Sequence, residues 1–210
     1  MKLYEFGPAT NARRVRVFLA EKGITIPIEE VLVRDGAMFK EPYRTMNPFG
    51  VVPFLELDDG TCIGESVAIC RYLEELHPEP SLFGRDARER ALIEMWNRRV
   101  EIDGLMPQTH AVRNLLPMFA GRVLPGTRND LAQLPEIVER GRVQMAILID
   151  HLDNQLANHA FIAGDRFSIV DITGYFTISG AERIDVEIPD RCANLSRWFE
   201  DVSARPSINA

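Results

Sequence analysis

A chain of 210 residues has room for one large domain or two small ones, and it can bury a core without disulfide or metal staples. Apolar residues make up 46% and charged residues 26%, and the net charge of −7 argues against a nucleic-acid surface or an anionic membrane as partner. The opening MKLYEFGPAT lacks the apolar run of a signal peptide, and no stretch approaches the roughly 18 apolar residues of a membrane span. Cys62, Cys70 and Cys192 form no CxxC pair and no zinc spacing. They read as free thiols in a reducing, cytoplasmic setting, and no metal is expected.

Lys2–Phe6 reads as a strand. Asn11–Gly23 has helical spacing, with Gly23 as its stop. Ile26–Val33 reads as a second strand, and a loop with one helical turn leads to Asn47-Pro48. The apolar runs Pro53–Leu57 and Thr61–Gly64 flank Asp58-Asp59-Gly60, which is the pattern of a hairpin. A helix follows from Glu65 to Leu76. The order is β-α-β, a loop, then β-β-α. The stretch HPEPSLFGR, His77–Arg85, reads as a linker, because proline bars helix continuation. Beyond it the chain looks all-helical: a long helix from Asp86 towards Ala120 with a kink at Pro107, and another over Leu131–Leu156. A third is opened by a Ser168/Asp171 capping box and runs to Arg183, and a last covers Leu195–Ser203. The domains are therefore 1–77 and 86–210, joined by residues 78–85.

Two stretches are specific in combination: Asn47-Pro-Phe-Gly-Val-Val-Pro53 and Gly64-Glu-Ser-Val-Ala-Ile-Cys-Arg-Tyr-Leu73. With NARRVRVFLAEKG at Asn11–Gly23 and the helical second half, they resemble the soluble glutathione S-transferases over almost the whole chain. The resemblance implies an α/β thioredoxin-like N-terminal domain followed by an all-α domain. It also implies glutathione as co-substrate, a small electrophile as second substrate, and a homodimer in which Phe49 reaches towards the partner.

By this resemblance Val52 and Pro53 meet the cysteinyl backbone of glutathione through a cis peptide, like an added strand. Alone, Pro53 would equally suit the start of an edge strand. Glu65 and Ser66 stand at a helix N-terminus, where unpaired N–H groups and the dipole favour an anion. Ser66 suits the γ-glutamyl carboxylate and Glu65 its ammonium; as plain capping, Ser66 is explained and Glu65 is not. Lys40 falls where relatives often carry a base for the glycyl carboxylate. Val51 is an apolar departure at a second such position.

A thiol with a pKa of about 8.5 is mostly protonated at neutral pH, so something must stabilise the thiolate. Relatives commonly use Tyr, Ser or Cys, but aligned on Arg14-Val15 the usual Ser or Cys falls at Ala9. Tyr4 lies within the strand and reads as core. Thr10 and Asn11 remain, either as helix caps or as thiolate contacts. Met106, Thr109, His110 and Arg113 share one face of the long helix, which the resemblance assigns to the electrophile pocket. By the same resemblance, His110 or Thr109 would be the residue that stabilises the thiolate from that side through water; the other reading of His110 is an ordinary solvated residue. The chain thus reads as an atypical, bacterial-like transferase with Asn11 and Thr10 as first candidates and His110 in reserve. The alternatives are a glutathione-dependent peroxidase or reductase and a non-catalytic binding module of the same fold.

Overall fold

A computed structural model describes all 210 residues. The chain divides into two units, one comprising Met1–Pro80 with Pro125–Thr127 and Asn209–Ala210, the other Ser81–Leu124 and Arg128–Ile208. The first is a mixed four-stranded sheet with helices, and the second is all-helical.

In the first unit β1 (Lys2–Glu5) is followed by α1 (Thr10–Lys22) and β2 (Ile28–Glu30). The second strand is shorter than the expected Ile26–Val33, because the chain turns into a 3₁₀ segment at Val33–Asp35. A second 3₁₀ turn at Ala37–Phe39 and the short α2 (Tyr43–Met46) lead to β3 (Phe54–Glu56), β4 (Cys62–Gly64) and α3 (Ser66–Leu76). The sheet order is β2-β1-β3-β4, with β2 parallel to β1 and the other two pairs antiparallel. Gly23 ends α1 in the left-handed conformation, as its missing Cβ allows. Helix α1 buries Ala12, Val15, Phe18 and Leu19, and also Arg14 and Lys22. Lys22 pairs with Glu74 of α3 and donates to the His77 carbonyl at 2.8 Å. Tyr4 is core, stacked on Phe54 at 4.7 Å, with its hydroxyl donating to Glu56 at 2.8 Å.

Residues 125–127 join this unit by a close backbone approach. A Cβ on Gly126 would stand 2.0 Å from the Phe49 carbonyl oxygen, so only glycine fits there.

In the second unit the long helix is not continuous to Ala120. Asp86 caps α4 (Ala87–Val100) by accepting from the Glu89 N–H at 2.8 Å. A π-helical turn, Glu101–Leu105, then joins it to α5 (Met106–Leu115). The irregularity therefore lies before Pro107, whose missing N–H removes the bond that a carbonyl one turn back would receive. The helix stops at Leu115 because Leu116 precedes Pro117 and is pushed into the extended region. A long segment follows whose one helical piece is a 3₁₀ turn at Pro117–Phe119. It is tied down where Gln133 donates to the carbonyls of Arg113 and Leu116, both at 2.8 Å, and where the Leu134 N–H donates to Asn114 at 2.9 Å.

Helix α6 (Pro135–Leu156) starts four residues later than expected, with Pro135 in its first turn. It crosses α5 at Gly141, where a Cβ would stand 2.8 Å from that of Ala111. Helix α7 (Ile169–Ser179) opens with the expected Ser168/Asp171 capping box and ends at Gly180 rather than Arg183. Helix α8 (Ala193–Ser203) closes the unit. No helix is long and apolar enough to cross a membrane.

Candidate functional site

Sheet register gathers most of the candidate residues of the first unit at one end. Strands β1 and β3 are antiparallel with Tyr4 opposite Phe54, and Phe54 lies opposite Gly64. The end of β1, the start of β3 and the end of β4 therefore coincide. The loop Phe6–Ala9, the pair Val52-Pro53 and the pair Glu65-Ser66 meet there, and the segment after β2 that carries Lys40 leaves from the same end.

The Val52–Pro53 peptide is cis. Neither the N–H nor the C=O of Val52 has a hydrogen-bond partner, so both are free to receive an extended peptide. The loop in front is braced by Asn47, whose amide donates to the Val51 carbonyl at 2.8 Å. Phe49 is exposed on this loop, and Lys40 is an exposed cation with no ion pair.

Glu65 is the residue before α3, with φ of 65° and ψ of 119°. A side chain held in that region costs about 1–3 kcal/mol, and such strain concentrates at functional sites. Its carboxylate is exposed and unengaged. Ser66 is the first residue of the helix and is 3% exposed. Its hydroxyl does not cap α3; it accepts from the Arg14 guanidinium at 3.0 Å. Arg14 is itself 1% exposed on the inner face of α1, so a cation lies buried beneath the helix N-terminus. The sequence reading missed Arg14. Its signal was an arginine four residues before Phe18 on an apolar face, a place where a charged residue needs a specific partner.

At the junction of β1 and α1 the cap position is Ala9, and no side chain caps the helix. Thr10 and Asn11 thus do not act as caps. The Asn11 amide makes no hydrogen bond, and the helix N-terminus carries no acidic residue in its first turn. The loop itself is held by Arg16, which donates to the Gly7 carbonyl at 2.9 Å and pairs with buried Glu5 at 3.1 Å. Burial pushes the Glu5 carboxyl up, against the lowering effect of Arg16.

In the helical unit the face Met106–Arg113 does not act as one group. The Thr109 hydroxyl donates to the Leu105 carbonyl at 2.8 Å, one turn back along its own helix. Arg113 donates to the Arg122 carbonyl and lies 4.8 Å from the Phe119 ring, holding the segment after α5. Neither residue borders the two cavities beside this helix. Met106 borders one of them and His110 both. Its imidazole has no hydrogen-bond partner in the fold. Burial holds this imidazole below its usual value of about 6.5, and the Arg140 and Arg113 guanidiniums push it lower still. Removing a neighbouring cation favours the imidazolium, so Arg140→Ala is expected to raise the His110 midpoint. An NMR pH titration of the imidazole checks this, and an unmoved midpoint would contradict it.

All three cysteines are free, and burial pushes all three thiols up. Cys70 is fully buried. None is a low-pKa nucleophile. No group of three His, Cys, Asp or Glu residues is placed to hold a metal ion.

Residues 10–76 match the N-terminal domain of glutathione S-transferases, and residues 111–206 match their C-terminal domain. The chain is 31% identical over 210 residues to glutathione S-transferase 2 of Saccharomyces cerevisiae, covering 99% of this chain and 88% of the relative. It is 42% identical over 216 residues to a maleylacetoacetate isomerase of Pseudomonas aeruginosa, covering 99% of this chain and 93% of that protein. Its fold superposes with a TM-score of 0.91 on a glutathione S-transferase domain-containing protein of Marinobacter aquaeolei, at 35% identity, with 99% and 100% of the two chains covered.

Proposed function

We propose, for a chain that belongs to the glutathione S-transferase family, that it is a glutathione transferase whose thiolate is activated without the usual hydroxyl or cysteine at Ala9. The observation that carries this reading is the cluster at one end of the sheet. Val52 offers a free N–H and C=O, Ser66 stands over a buried guanidinium, and Glu65 is held in a strained conformation beside it.

Each part suits one part of glutathione. The γ-glutamyl carboxylate goes to Ser66 and the N-terminus of α3, backed by the charge of Arg14. Its ammonium goes to Glu65. The cysteinyl N–H and C=O pair with Val52 next to Pro53. The glycyl carboxylate goes to Lys40. The sulfur lies towards the N-terminus of α1, where the Asn11 amide and Thr10 hydroxyl are the proposed donors. The helix dipole supplies further stabilisation of the anion. The sulfur electron pair then forms a bond to the electrophilic carbon. A leaving group departs with its own electron pair, or an activated double bond passes its π pair to carbon, which takes a proton from solvent.

The identity with a protein named maleylacetoacetate isomerase favours a second reading, in which glutathione is returned unchanged and the net reaction is an isomerisation. Exchange through an enzyme cysteine finds no support, because none of the three thiols is activated. A cytoplasmic role in detoxification is proposed on the free cysteines and the family. A homodimer is proposed on the family and on exposed Leu92 and Met95 of α4, Val143 and Ile147 of α6, and Phe49; sedimentation as a monomer at micromolar concentration would refute it.

The test of function is turnover of a panel of electrophiles at saturating glutathione, with glutathione consumption followed separately. Loss of both substrates supports conjugation. Product without glutathione loss supports the isomerase. No turnover and no glutathione binding would leave only a non-catalytic module.

A further inference from the structure

The helical unit contains a trough between α5 and α6 whose lining speaks to the second substrate. Two cavities of about 200 and about 280 Å³ share His110, Ile137 and Arg140. One end is apolar, with Val123, Leu124, Leu131 and Leu134. The other end carries Gln144. Arg140 stands where the two cavities meet, and it has neither a hydrogen bond nor an ion pair. Glu139 beside it on the helix is paired with Arg142 at 3.6 Å. No carboxylate lines either cavity. An unneutralised guanidinium thus borders a trough with one apolar and one mixed end, in a chain whose net charge is −7. The larger volume is just below the roughly 300–1,000 Å³ usual for small-molecule sites and the smaller is about two thirds of that lower bound, which suits a single ring or a short alkyl chain.

Resting on the transferase reading above, we propose that this trough binds the electrophile and that the electrophile is a small apolar molecule bearing a carboxylate, with Arg140 as its specificity residue. The apolar end covers the body, and Arg140 meets the anion with its planar fork. His110 and Gln144 offer further polar contact at the same place.

The test uses the full chain and two probes of one shape, 4-butylbenzoate and 4-butylbenzamide, in calorimetry. The wild type should prefer the benzoate by about tenfold, the scale of one charge-assisted contact at an accessible site. Arg140→Lys should keep the preference, and Arg140→Glu should reverse it. Arg140 is exposed, so neither variant threatens folding. The benzoate should also compete with the electrophile, and not with glutathione, in initial rates. Equal binding of the two probes, a preference unmoved by Arg140→Glu, or a benzoate that fails to compete with the electrophile would each overturn the proposal. Binding of S-butylglutathione is measured alongside. Its failure to bind would overturn the transferase reading itself, whatever the benzoate does.

Discussion

Replacing Ser66 with alanine is expected to weaken glutathione binding by about ten- to hundredfold while leaving the fold intact. The hydroxyl is the hinge between a buried cation and the proposed carboxylate: it accepts from Arg14 at 3.0 Å and has a proton to give to the ligand. A hydrogen bond to a charged group contributes about 1.5–3 kcal/mol, which is the basis of that range. Stability should fall by about 1–3 kcal/mol, because the buried Arg14 guanidinium loses this acceptor, so binding is compared at a temperature where both proteins are folded. Calorimetric titration with glutathione reads the effect. Arg14→Lys combined with Ser66→Ala should cost less than the sum of the two single changes, since both act through one contact. Unchanged affinity in Ser66→Ala would mean that the Arg14–Ser66 pair serves only to dock α1 on α3.

Asp171→Ala is expected to destabilise the helical unit by about 3–5 kcal/mol, the loss typical of breaking a buried charged network. The carboxylate is fully buried and accepts four hydrogen bonds. They come from the N–H of Ile162 at 3.0 Å, the N–H and hydroxyl of Ser168 at 2.9 and 3.1 Å, and the indole of Trp198 at 2.9 Å. Burial pushes its carboxyl up, and these donors pull it back towards the ionised form. Removing it strands donors from three parts of the unit in a dry core. Ser168→Ala, which removes one cap, should cost only about 1 kcal/mol. Denaturant unfolding followed at Trp198 separates the two, and a loss of under about 1 kcal/mol for Asp171→Ala would contradict the account.

The fold was legible wherever local chemistry and global packing agreed. The Asp58-Asp59-Gly60 hairpin, the Gly23 stop and the Ser168/Asp171 box each combine a residue type with a position that demands it, and the structure has all three. The errors in the long helices of the second half fell at prolines. Pro107 suggested a kink at its own position, but the backbone adjusts ahead of it with a π turn. Pro117 and Pro135 bound a segment without α-helix into which the expected helices had reached from both sides, forward to Ala120 and back to Leu131.

The site was legible as a set of local motifs, because Val52-Pro53 and Glu65-Ser66 are contiguous in sequence. What joins them is tertiary. The guanidinium under Ser66 comes from 52 residues earlier. Arg140 and His110 meet only because Gly141 lets α5 and α6 approach. Thr109 and Arg113 looked equivalent to His110 by spacing. Their hydrogen bonds, to Leu105 and Arg122, follow from a helix carbonyl and a loop path that spacing does not encode.

The central claim is that an uncapped α1 N-terminus, with Asn11 and Thr10, activates glutathione without a Tyr, Ser or Cys donor. An ultraviolet difference titration of bound glutathione between about pH 5 and 9 reads this directly, because the thiolate absorbs and the thiol does not. The account predicts a midpoint clearly below the free-thiol value of about 8.5, moving back towards it in Asn11→Ala. Bound glutathione that titrates at about 8.5 or above in the wild type would contradict it.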